Sequence, residues 1–257
     1  MKRFLGAVAS ACVALALSTT AAQQQDLAGF GAPPEGPPRA VPRLADGKPN
    51  LTGVWRGAGL NAQAYNLAEL EGLYQPWAVE KMQSMGESDD PVFRCVPYSY
   101  PRAITLPWPF QIVQVPGLVV ILSEYFHSHR IIPTDGRPHV KGIPTYLGDS
   151  VGRWEGDTLV VDVAGFNGET WLADGMDKPT PKSRGVWFTS DALHIVERWR
   201  LVDGDTLEYR AVVEDSKVLT RPWTMNVVMV KRAPIDAIGE GVCLSDPTYE
   251  LTDKGKK

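Results

Sequence analysis

Apolar and polar positions repeat along this chain with two different periods. Leu67, Leu70, Leu73, Tyr74, Trp77, Val79 and Met82 recur at helical spacing. Pro76 interrupts that run, removing a backbone donor and crowding the preceding turn, so the pattern predicts one or two short helices rather than one long one. After Pro91 the period falls to two. Runs rich in Val, Ile, Tyr, Phe and Trp predict strands at Phe110 to Val115, Leu118 to His127, Arg130 to Pro133, Ser150 to Trp154, Thr158 to Ala164, Ala192 to Leu201, Thr206 to Glu214 and Trp223 to Lys231. Asn50 to Gly57 (NLTGVWRG) supplies a first strand ahead of the helices. Val115-Pro116-Gly117, Glu155-Gly156-Asp157 and Asp203-Gly204-Asp205 are short turns that join consecutive strands as hairpins. The expected fold is therefore mainly β: an antiparallel barrel of about eight strands, closed so that no edge is left unpaired, with a small helical insertion after the first strand.

The flanks read differently. Residues 1–22 have the parts of a secretory signal: Lys2 and Arg3, the apolar stretch Phe4 to Leu17, and small residues ending at Ala22. Residues 23–49 form an arm rich in Pro, Gly and Ala, residues 50–245 the barrel, and residues 246–257 a polar tail. The formal charge of −4 becomes −6 once Lys2 and Arg3 are removed, which argues against nucleic acid as a partner. No apolar run after the leader is long enough to cross a bilayer as a helix, so no membrane span is expected. Of the three cysteines, Cys12 falls in the leader. An oxidising compartment, periplasmic or extracellular, is expected to pair the other two, Cys95 with Cys243.

Gly53-Val54-Trp55 in a first strand, followed by a meander, resembles the lipocalin or calycin pattern. That resemblance implies a Trp55 that closes one barrel end beneath a basic residue from a late strand, for which Arg232 is the match. Two longer runs, RIIPTDGRPH (Arg130 to His139) and DSVGRWEGDTLVVDVAGFN (Asp149 to Asn167), resemble a family of exported bacterial proteins without an assigned activity. That likeness implies export and transfers no catalytic residue.

Two constellations carry candidate chemistry. In Glu124-Tyr125-Phe126-His127-Ser128-His129-Arg130, an extended strand would place Tyr125, His127 and His129 on one face, three groups able to move protons or bind metal. In SDALHIVERWRL, Glu197 falls on the same face as Leu193, Ile195, Trp199 and Leu201, with His194 opposite. A carboxylate in that register must be paired, protonated or functional, and a structural ion pair with Arg153 or Arg210 is the alternative to a catalytic role. Arg130, Asp135, Arg137 and Trp154 are the candidate ligand contacts.

No G-x-S-x-G turn or phosphate-binding glycine loop is present, so a nucleotide cofactor is not expected, and the reading calls for no cofactor. Three classes stay open. One is a lyase or isomerase using Tyr125, His127, His129, His194 and Glu197 for proton transfer on a small apolar or aromatic molecule. The second is a carrier of such a molecule. The third is an enzyme whose metal is held by His127, His129 and His194. The oligomeric state is open.

Overall fold

The computed structural model describes residues 36–57, 66–173 and 185–243. The leader at 1–22, the first part of the arm and the polar tail lie outside the described residues. Ten strands follow one another as β1 (Gly53–Arg56), β2 (Pro109–Val115), β3 (Leu118–Ser123), β4 (His129–Pro133), β5 (Asp149–Glu155), β6 (Thr158–Ala164), β7 (Leu193–Leu201), β8 (Thr206–Asp215), β9 (Trp223–Thr224) and β10 (Val228–Arg232). The fold is mainly β and antiparallel, as the period-two pattern requires, with ten strands in place of about eight. One further strand arises because the predicted run Trp223 to Lys231 breaks into β9 and β10, while His129–Pro133 matches a strand already read in the sequence.

The hydrogen-bonded order is β4-β3-β2-β1-β10-β8-β7-β6-β5, with β9 on β8. The sheet curls until β4 lies beside β5, yet no ladder joins them. Each neighbour along the path being antiparallel, β4 and β5 at its two ends run in the same direction. A parallel pair cannot be linked by a hairpin, so the segment between them has to travel back along the outside of the barrel before β5 begins. The barrel is thus nearly closed, with one seam.

Pro76 divides the helical run as expected, giving α1 (Leu67–Leu73) and α2 (Pro76–Ser84), which bury Leu70, Leu73, Ala78 and Met82 against the barrel. A further turn of helix, α3 (Arg102–Thr105), packs Ile104 into the same core. Trp55, Trp187, Trp199, Trp223 and Tyr209 are the bulkiest fully buried side chains, so aromatic packing fills much of the interior.

At one end of the barrel Arg232 lies over the Trp55 ring, 4.3 Å from its centroid. Its Nε donates to Gly204 O at 3.0 Å, and a Cβ on Gly53 would overlap the guanidinium, which is why only glycine serves there. The described part of the arm lies across the same end: Arg39 pairs with Asp205, and Arg43 with Asp157 at 2.7 Å. Cys95 and Cys243 are joined, with their Cα atoms 5.8 Å apart. Among the described residues, no helix is long and apolar enough to cross a membrane.

Candidate functional site

Where backbone pairing stops, side chains close the barrel. Arg130 of β4 points inward and is buried; its Nε donates to Ser150 Oγ of β5 at 2.8 Å, lacing the two unpaired strands together. The guanidinium continues to Glu197 of β7, with Nη1 donating to Oε1 at 3.0 Å and Nη2 2.7 Å from Oε2. Tyr209 of β8 donates to Glu197 Oε1 at 2.9 Å, and the Tyr100 ring lies 4.4 Å beneath the guanidinium. Burial works against the Arg130 charge, but the Glu197 carboxylate outweighs it and its pKa is raised. Burial pushes the Tyr100 hydroxyl up to about 12, so it stays protonated. Further along the seam Gly152 of β5 leaves room for Ile132 and Thr134, whose methyl carbons a Cβ would meet at 2.9 Å.

The partner of Glu197 is therefore Arg130. Arg153 and Arg210 instead form surface pairs with Glu155 and Glu208. Glu197, fully buried and ion-paired, forms part of the wall that holds the seam.

Above Arg130 the seam widens into a cleft of about 500 Å³ open to solvent. One wall is Phe126, His127, Ser128, His129 and Ile131; the other is Thr145, Tyr146, Leu147, Gly148 and Asp149; Cys95 and Pro97 stand at the back. The first wall corrects the sequence reading. Residues 124–128 are a turn rather than the end of a strand, and Phe126 (φ 62°) and His127 (φ 46°) both take the left-handed conformation. Tyr125, His127 and His129 consequently do not share one strand face. Tyr125 stacks between Trp108 (4.9 Å) and Tyr98 (5.3 Å), with Phe126 edge-on at 4.3 Å, while His127 and His129 line the cleft. Two consecutive left-handed residues without glycine cost on the order of 1–3 kcal/mol each, and such strain persists where neighbouring contacts impose it. Here the Gly239 amide donates to Glu124 Oε2 at 2.7 Å and Tyr125 bridges to Gly241, next to the disulfide.

No family model, curated protein or solved structure matches the chain. The geometry alone assigns the remaining candidates. His194 is on the outer face of β7, where its Nε2 lies 3.1 Å from Asp162 Oδ1 of β6 and its Nδ1 3.4 Å from Glu214 Oε2 of β8. It does not join His127 and His129, and among the described residues no group of three or more His, Cys, Asp or Glu is placed to hold a metal ion. Asp135 and Arg137 pair with each other on the exposed return segment, and hydrogen bonds from Arg137 pull the Asp135 carboxyl down to about 2. Trp154 packs half-buried against the core instead of lining the cleft. Of the candidate ligand contacts, only Arg130 reaches the cleft, as its floor.

Sequence reasoning missed His139 as a site residue. Its Nδ1 lies 2.8 Å from Asp149 Oδ2 and its Nε2 2.9 Å from Asp162 Oδ1. The period-two pattern of β6 places Asp162 on the outer face, but nothing in a Pro- and Gly-bearing run before Asp149 announces that His139 folds back onto it.

Proposed function

We propose that the protein is an exported ligand-binding barrel that takes a small molecule with an aromatic or apolar body in the cleft between β4 and β5. The observation that carries this reading is the cleft itself: the place where, among the described residues, the sheet fails to close is bounded by a strained left-handed turn and floored by a buried ion pair. Ile131, Leu147, Phe126 and Tyr146 offer apolar and aromatic contact, while His127, Ser128 and His129 offer groups to orient a polar end. The proton-transfer set read in the sequence is dispersed, with Glu197 engaged by Arg130 and His194 by Asp162. This favours binding over turnover. The Cys95–Cys243 disulfide supports folding in an oxidising compartment.

The test is calorimetric titration of the disulfide-intact protein with a panel of small aromatic acids and alcohols. At least one member is expected to bind the native protein, and binding is expected to weaken about ten-fold or more, or roughly 1.4 kcal/mol, in Ile131→Asp and Tyr146→Ala. A control change on the opposite side of the fold, Val202→Ala, is expected to leave it unaltered. Absence of binding across the panel, or equal affinity in the cleft variants, contradicts the reading.

A further inference from the structure

The return segment between β4 and β5 is the wall of the cleft that differs most in construction from the rest of the barrel. Its residues from Asp135 to Tyr146 are almost all exposed, and they include Val140 and Ile143. It rejoins the body at Thr145, whose amide donates to Gly165 O at 3.0 Å and whose carbonyl accepts from the Asn167 amide at 2.9 Å. Ahead of that point the segment is tied to the sheet by His139 and by the Val140 amide, which donates to Asp149 Oδ2 at 3.0 Å. The four residues after Thr145, namely Tyr146 to Asp149, are cleft wall.

We propose that His139 is a proton-operated latch: its imidazolium, held between Asp149 and Asp162, fastens the return segment that leads into the cleft wall, and loss of the proton gives up one of the two ties and slackens that segment. The regulation rests on the cleft reading above, but the latch does not. A neutral imidazole carries one N–H and one lone pair, so with Asp149 and Asp162 both ionised it is the protonated ring that can donate to a carboxylate at each nitrogen. Groups facing the ring come from every neighbouring strand: Asp149 on β5, Asp162 on β6, His194 on β7 sharing Asp162 Oδ1, and Glu214 on β8 beyond it. The set holds three carboxylates, so with His139 and His194 both neutral it is strongly anionic. The Val140 amide bond and the two backbone bonds at Thr145 do not titrate, so loss of the His139 proton slackens the segment ahead of Thr145 without detaching it.

Partial burial opposes charge on His139, but the hydrogen bonds to Asp162 and Asp149 outweigh it and raise its pKa above 6.5. The tie is thus complete below the ordinary imidazole value and is lost as pH rises through the higher folded value. The segment that leads into the cleft wall is fastened in mildly acidic medium and loosened in alkaline medium.

Lys141 provides the readout: it is exposed on the segment and followed by Gly142, whereas Arg137 is shielded from trypsin by Pro138. Cleavage after Lys141 is measured on the full disulfide-bonded protein at about pH 6 and about pH 8.5, normalised at each pH to a small peptide substrate. The native protein is expected to be cut several-fold faster at the higher pH, where the His139 proton is lost. His139→Gln is expected to be cut fast at both. A pH-independent native rate, or the same pH dependence in His139→Gln, overturns the latch. Binding of 8-anilinonaphthalene-1-sulfonate is followed in parallel. Tighter binding at the lower pH in the native protein alone supports control of the cleft, and equal binding at both overturns that control. Gated cleavage without dye binding at either pH counts against the cleft reading while leaving the latch standing.

Discussion

Arg130 and Glu197 stand 67 residues apart in the chain and meet inside the barrel as a buried ion pair. A buried ion pair of this kind is a poor source of net stability compared with apolar packing, but removing one partner strands the other in a low-dielectric interior. Arg130→Met or Glu197→Leu alone is expected to cost about 3–5 kcal/mol in urea unfolding, while the double variant recovers most of that loss. Additive losses in the double variant would mean that the two charges do not depend on each other. The sequence showed that Glu197 sits in a core-facing register and so must be answered by something. It did not show by what, because the partner is fixed by which strands the curled sheet brings face to face. Arg153 and Arg210, the nearer guesses, alternate to the outer face of their own strands.

At the scale of elements, hairpins are the legible part. Glu155-Gly156-Asp157 and Asp203-Gly204-Asp205 join the strands predicted for them, and Pro76 splits the helical run at the expected place. The turn at 124–128 was not legible, because Tyr125, Phe126 and His127 are strand-favouring types with no glycine or proline among them. The left-handed backbone of Phe126 and His127 is imposed from outside by the Trp108 and Tyr98 stack on Tyr125 and by the C-terminal strap at Gly239 and Gly241. The seam was equally hidden, since periodicity predicts strands but not which two ends fail to pair. An unpaired boundary has an observable signature. Amides of β4 and β5 that face the seam lack ladder acceptors, so hydrogen exchange in these strands is expected to outpace that in β7 and β8, which are paired on both sides. Uniform protection across all four strands would contradict an open seam.

For the whole molecule, the disulfide is the long-range constraint. It closes a loop across a separation of 148 residues and anchors the strap that holds the cleft turn. Cys95→Ser with Cys243→Ser is expected to lower unfolding free energy by about 2–5 kcal/mol and to weaken ligand binding in the cleft as well. A loss of stability without any effect on binding would separate the strap from the site. The barrel's aromatic interior and its laced seam together leave the open cleft at the side of the barrel, between two strand edges, rather than down its axis.

That placement is most directly tested by locating a bound molecule. Backbone and methyl NMR shifts of the native protein are followed on titration with the tightest-binding small aromatic acid found by calorimetry. The account predicts that the largest changes fall on His127, His129, Ile131, Tyr146 and Leu147, with the Arg130 side chain next and the interior Trp55 and Trp223 indoles unmoved. Changes centred on the interior indoles, or scattered over the outer face with the cleft silent, would contradict it.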